Sequence, residues 1–281
     1  MCGGGVRAGR GGPLGCVRSQ WADIILRMVE LPYILRLSAF LLRFRQDSKH
    51  DDRFEVQVGN GSDFELLIGI VTRIRRLTGA YMRLHKAGFT AEGEVLARSA
   101  LEHAVTAQWA YLVKGGMDGL AYSFHKSQGD ILKALYEQTN DEDVQTRYLQ
   151  HLATPRQGKR LPSISGSGGM LDQFKNPFLS LSYRVLSQRV HVSSSTFTDA
   201  LEMGDDGKTL EVVEAPTGKY HYESVSCLAI SAMLISWILA RLEGDTAEIS
   251  KLVSIASSLS LPYRLDLDLD AGLRRFPDEV E

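Results

Sequence analysis

The chain contains few of the residue types that cross-link secreted domains or hold metal ions. Its 281 residues include only three cysteines, Cys2, Cys16 and Cys227, whose spacing matches neither a zinc motif nor a disulfide framework. No His-Glu-x-x-His or Cys-x-x-Cys motif is present and no pair of aspartates argues for a metal, so the sequence indicates no metal site and implies no cofactor. Sparse, unpaired cysteines are typical of a reducing compartment, and we therefore expect a cytoplasmic protein.

The sequence also lacks an excess of positive charge. Its 32 lysines and arginines and 34 aspartates and glutamates give a formal net charge of -2. No general field attracts such a chain to nucleic acid, and we do not expect DNA binding. A local patch is compatible with this balance, because Arg73, Arg76 and Arg83 lie near one face of a predicted helix and could contact RNA phosphates. A solvated helix face is the simpler interpretation of these arginines.

Long uncharged apolar runs are scarce as well. Residues 24–42 are rich in apolar side chains, but Arg27, Glu30 and Arg36 interrupt them and Pro32 is expected to kink or split the helix. Residues 224–240 carry no charge, yet this stretch of 17 residues contains four serines and is marginal for spanning a bilayer. A buried core helix explains the second stretch equally well, so membrane association is not expected.

Helical periodicity dominates the remaining sequence, and it predicts a mainly α protein built as a helical bundle. The predicted order is a disordered leader (1–20), an amphipathic helix (21–45), a helical domain (64–259) and a loose acidic tail (260–281). The leader has no apolar core of a signal peptide. The Gly/Ser-rich residues 165–169 lack the end of a P-loop and are predicted to form a loop. Gly204 to Gly207 predict a small β-hairpin or an irregular excursion near 199–213.

The most informative segment is the helix that carries Arg98. Its side chains are apolar almost all round, which predicts a central, buried helix. A buried charge needs a partner, and Glu94, Arg98 and Glu102 share one stripe at i, i+4 and i+8. His103 follows five residues after Arg98, about 140° further around the helix. The stripe predicts an ion pair, which is either structural or part of a site.

A second polar stripe of the same spacing lies downstream, where Tyr183, Ser187 and His191 are also at i, i+4 and i+8. His191 is predicted near a helix C-terminus, where the helix dipole favours the protonated imidazole. We expect the two stripes to meet, with Ser187 and His191 facing Arg98 and Glu102. The alternative for His191 is a helix-terminal histidine bonded to a backbone carbonyl or to Glu102.

These two stripes resemble a bacterial helical family of unknown function. Leu96 to Glu102 resemble its Arg-Ser-x-x-Glu signature, and Tyr183 to His191 resemble its Tyr-x-x-Leu-Ser-x-x-x-His signature. The resemblance covers about residues 64–241. The spacing of the two stripes gives the candidate site residues as Arg98, Glu102, Ser187 and His191.

Arg98 and His103 also resemble the Arg-x4-His signature of HEPN helical domains. Many HEPN proteins are metal-independent ribonucleases of toxin, defence or stress systems, whose arginine and histidine meet at a dimer cleft. The resemblance implies a homodimer in which His103 moves protons and Arg98 stabilises the charge on phosphorus. Within one subunit the two residues diverge around the helix. The rival hypothesis is a non-catalytic binding or dimerisation module whose Arg98–Glu102–His191 network is structural.

Overall fold

The computed structural model describes most of the helical part of the chain. The described residues are 32–45, 54, 56–57, 59–154, 156, 158–174, 176–188, 201–204, 206, 208–212 and 220–276. The predicted leader and the first part of the predicted N-terminal helix therefore lie outside the described residues. Residues 32–45 are helical and form α1, with Pro32 in its first turn, where a missing N–H costs nothing.

The mainly α architecture predicted from periodicity is confirmed. After α1 follow α2 (Gly61–Lys86), α3 (Thr90–Leu112), α4 (Gly116–Thr139), α5 (Glu142–Leu152), α6 (Pro177–Ser187), α7 (His221–Glu243) and α8 (Thr246–Leu259). Two short strands, β1 (Leu201–Met203) and β2 (Leu210–Val212), pair antiparallel between α6 and α7. This is the small hairpin that the glycine-rich turn predicted.

Helices α3 and α7 form the centre of the bundle, with α2 packed beside them. Small side chains on α3 let the neighbouring helices approach closely, since Ala97, Ala100, Ala104 and Ala107 are all fully buried. Buried Gln108 joins three parts of the chain: its Nε2 donates to the Leu234 carbonyl at 3.0 Å, and its Oε1 accepts from the Leu265 N–H at 3.2 Å. Both ends of the buried Gln108 amide are therefore hydrogen-bonded inside the core.

The uncharged stretch around 224–240 is a core helix, as one of its two interpretations expected. Among the described residues, α7 is long and apolar enough to cross a membrane by length and composition alone, and 89% of its apolar window is buried inside the bundle. Central helices of bundles pass the same test, so this is weak evidence for a membrane span.

Helix α3 begins at Thr90, whose hydroxyl is bonded to His85 Nδ1 at 2.9 Å and does not cap the helix. The helix is central, as predicted, but it is not buried all round, because Val95 is exposed. One side of α3 therefore faces outward, between the flanking elements.

The predicted loose tail is wrong for residues 261–276, which dock onto the bundle. Leu261, Leu265 and Leu267 are buried, and Leu267 forms an isolated β-bridge with Phe174. The Arg275 N–H donates to the Leu112 carbonyl at 2.8 Å, and its guanidinium lies 2.7 Å from Asp63. Leu265 and Leu267 thus connect this segment to Gln108 of α3 and to Phe174 before α6.

Candidate functional site

The two polar stripes meet through Tyr183, whereas the sequence predicted that Ser187 and His191 would face Arg98 and Glu102. The Arg98 Nη2 atom lies 2.8 Å from Glu102 Oε1 and donates to the Tyr183 hydroxyl at 3.0 Å. That hydroxyl donates in turn to Glu102 Oε1 at 3.0 Å, while the guanidinium lies 5.0 Å from the centre of the tyrosine ring. Guanidinium, phenol and carboxylate therefore form a closed triangle between α3 and α6.

This triangle is only partly covered. The Arg98 and Glu102 side chains are 14% and 29% exposed. The pair is therefore less buried than its apolar helix predicted, and its atoms are within reach of solvent. Within the described residues Arg98 Nε is buried without a hydrogen-bond partner, so the guanidinium keeps unused donor capacity.

An open cavity of about 430 Å³ lies beside the triangle, in the size range of ligand pockets. Arg98, Tyr183 and Ser187 line one side of it, and Arg184 adds a second cation. The remaining wall includes Asp172 and the Gly/Ser-rich loop at Ser165 and Gly166. Gly166 and Gly168 have φ values of 97° and 74°, which explains glycine in this tight turn. The sequence predicted the loop but not its place at the site.

The other predicted site residues lie in different positions. Ser187 lines the cavity, but its hydroxyl donates to the Tyr183 carbonyl at 2.6 Å rather than to Arg98 or Glu102. The helix ends at Ser187, and His191 lies outside the described residues. His103 Nδ1 donates to the Ser99 carbonyl at 2.6 Å, and His103 does not line the Arg98 cavity within one subunit.

The predicted RNA-contacting arginines lie apart from this cavity. Arg73, Arg76 and Arg83 are exposed along α2, and none of them lines the Arg98 cavity. Their exposure fits a solvated face as well as a phosphate-binding one. In the described part of the chain, no group of three or more His, Cys, Asp or Glu side chains is arranged to hold a metal ion.

Glu94, the first member of the α3 stripe, takes no part in the Arg98 triangle. It is fully buried, and its Oε1 accepts from the Tyr220 N–H at the start of α7, at 3.1 Å. The three residues of the α3 stripe therefore lie in two environments, with Glu94 in the core and Arg98 and Glu102 beside the cavity. Their spacing alone could not have shown this.

Sequence reasoning missed a cluster of aromatic and imidazole groups near Glu94. The rings of His85 and His221 stack at 4.2 Å, and the Tyr81 hydroxyl lies 2.8 Å from His221 Nδ1. Burial, with His85 nearby, lowers the pKa of His221 to about 4. Burial also raises the pKa of Tyr81, so both groups are neutral at pH 7 and the phenol donates. A Cβ on Gly93 would lie 2.9 Å from the Tyr81 ring, which explains glycine there.

Comparison with known proteins yields one relationship. A family model described as "Family of unknown function (DUF5677)" matches residues 64–209, which hold both polar stripes. Searches of curated proteins and of solved structures gave no match.

Proposed function

Because the chain belongs to a family of unknown function (DUF5677), its activity is argued from its own site, and we propose that this site binds and cleaves RNA. The reaction would be metal-independent acid–base chemistry, as the likeness to HEPN ribonucleases implies, in a cytoplasmic stress or defence system of bacteria. One observation carries the proposal: Arg98, fixed by Glu102 and Tyr183, lines an open cavity together with a second arginine, Arg184.

The cavity chemistry suits a phosphodiester. Two guanidinium groups line the cavity, and within the described residues Arg98 Nε has no hydrogen-bond partner, so it can donate to a phosphate oxygen. Glu102 and Tyr183 already hold the Arg98 guanidinium in place, so little reorganisation is needed when negative charge develops on a phosphate oxygen. The ligand would be a segment of single-stranded RNA that places one phosphate beside Arg98.

In the proposed reaction a ribose 2′-hydroxyl attacks the adjacent phosphorus, and the bond from phosphorus to the 5′-oxygen breaks. Glu102 is the candidate acceptor for the hydroxyl proton, and His191 is the candidate donor to the leaving oxygen. Arg98 stabilises the negative charge in the transition state, while Tyr183 orients both Arg98 and Glu102. Ser187 positions Tyr183 through its carbonyl.

Purified protein incubated with single-stranded RNA in EDTA tests this function. Cleavage should leave 2′,3′-cyclic phosphate ends, and Arg98→Ala should lower the rate by about 10²–10³-fold. His191→Ala should lower it by about 10²–10⁴-fold if it donates the proton. Arg156→Ala removes an exposed loop arginine and serves as the matched control, with an unchanged rate.

Variants of His191 and His103 distinguish two possible arrangements of the site. Loss of activity with His191→Ala alone supports a site within one subunit. Loss with His103→Ala alone supports a cleft shared between two subunits, as in the HEPN resemblance. Intact RNA after long incubation with folded protein would overturn the ribonuclease proposal.

A second candidate function, a helical dimerisation module, has its own supporting observation. The α4–α5 hairpin exposes several large apolar side chains, namely Phe124, Ile131, Leu135, Leu149 and Leu152. Exposed apolar patches of this kind are typical of protein interfaces. We propose that a second copy of the chain covers them. Light scattering tests this, since Ile131→Asp should convert a homodimer to a monomer, whereas Lys133→Asp on the same helix should not.

A further inference from the structure

A separate pocket lies between α1, α7 and α8. This α1–α8 pocket has a volume of about 650 Å³ and shares no lining residue with the Arg98 cavity. The volume falls within the range of sites for small organic ligands. Neither the family match nor the proposed ribonuclease function assigns a role to it.

About half of the pocket surface is apolar. Phe40 and Phe44 of α1, Leu252 and Ile255 of α8, and Phe54 contribute to this half. Phe44 and Leu252 are themselves buried, so these walls are continuous with the core. A ligand with an apolar body would remove further apolar surface from water here.

Cationic side chains also line this pocket. Arg36, Arg43, Arg75 and Lys251 line the pocket, against the carboxylates Glu243 and Glu248, which leaves a formal excess of two positive charges. Arg36 and Arg43 are seven residues apart on α1, two helical turns, and therefore lie on one face with Phe40. The charge balance favours an anionic ligand and disfavours a cationic one.

Most of these cations already have partners. Arg36 donates to the Ser258 carbonyl, Lys251 pairs with Glu248 at 3.0 Å, and Arg75 lies over the Phe44 ring at 5.5 Å. Arg43 is exposed and makes no hydrogen bond or ion pair in the described part of the chain. It is therefore the guanidinium with the most capacity to receive an anion.

We propose that the α1–α8 pocket binds a free amphipathic monoanion of the fatty-acyl class, with one carboxylate and an unbranched apolar chain. The carboxylate pairs with Arg43 at the rim, and the chain lies between α1 and α8 against Phe40 and Ile255. A neutral or cationic molecule of the same length lacks the ion pair and binds more weakly.

Isothermal titration calorimetry with the full chain tests the proposal, using hexanoate, octanoate and decanoate below their micelle concentrations. Decanoate should bind, with affinity rising about fourfold for each methylene added along the series. Octylammonium and octyl glucoside, the cationic and neutral probes, should bind at least tenfold more weakly than octanoate. Equal binding of all three eight-carbon probes would overturn the proposal.

Two variants and one control locate the site. Arg43→Gln should weaken decanoate binding about tenfold, since a charge-assisted contact is lost. Ala39→Trp, at an exposed pocket-lining position, should fill the space and abolish binding. Arg156→Gln changes an arginine that does not line the pocket and should bind as the parent does. Parental affinity in Arg43→Gln, or binding to phosphatidylglycerol vesicles without binding of free decanoate, would contradict the proposal.

Discussion

Glu94 and Glu102 lie one turn on either side of Arg98, yet the fold uses them differently. Glu94 is fully buried and accepts a backbone N–H at the start of α7, whereas Glu102 is partly exposed and holds Arg98 beside a cavity. The difference arises because α3 passes from the densely packed start of α7 to the short helix α6. The Glu94 carboxylate therefore fixes the packing of α3 against α7, whereas the Glu102 carboxylate remains accessible to a ligand.

Removing Glu94 should have the largest effect on stability. Glu94→Ala leaves the Tyr220 N–H without its acceptor and opens a cavity, and we expect a loss of about 3 kcal/mol. Glu94→Gln should recover part of this loss, because its amide oxygen can still accept the bond. Urea unfolding of both variants measures the values. Parental stability in Glu94→Ala would show that the buried carboxylate contributes nothing to packing.

Removing Arg98 should cost less, about 1–2 kcal/mol, because solvent reaches both partners of the ion pair. Its bond to Tyr183 predicts coupling, so Arg98→Ala and Tyr183→Phe together should destabilise the protein less than the two effects summed. Double-mutant cycles from thermal unfolding report this coupling. As a control, Lys133→Ala breaks an exposed pair, 3.7 Å from Glu137, and should cost about 0.5 kcal/mol or less. Strict additivity of the first pair would contradict the closed triangle.

The smallest effect on stability should come from lowering the pH, which protonates His221 in the cluster near Glu94. An unfolded histidine binds its proton near pH 6.5, but the pKa of His221 is lowered to about 4. The resulting stability is complete above pH 6.5 and is lost as the pH falls from 6.5 towards 4. Because His221 is only half-buried, we expect a loss of about 1 kcal/mol. His221→Gln should flatten this part of the pH–stability curve, and parallel curves would rule out the effect.

The sequence predicted the helices because these depend on local periodicity. It also predicted that the two polar stripes meet, because both have i, i+4, i+8 spacing on apolar helices. The spacing did not show which residue makes the contact: Ser187 was predicted to face Arg98 and Glu102, but Tyr183 bonds to both.

The rest depended on contacts between distant parts of the chain. Tyr81 and His221 are 140 positions apart, and nothing local to either indicates their hydrogen bond. The docking of Leu267 on Phe174 likewise joins two irregular segments, for which helical periodicity gives no signal. The burial of Glu94 depends on where the start of α7 lies, and the sequence of α3 does not indicate that position.

The docked segment 261–276 has a consequence for folding during synthesis. Leu265 contacts Gln108, and Arg275 contacts Leu112 and Asp63, so late residues complete a core begun far earlier in the chain. While the ribosome is still making α8, this part of α3 lacks its cover and exposes apolar surface. The core around this part of α3 is therefore complete only once residues 261–276 have been synthesised.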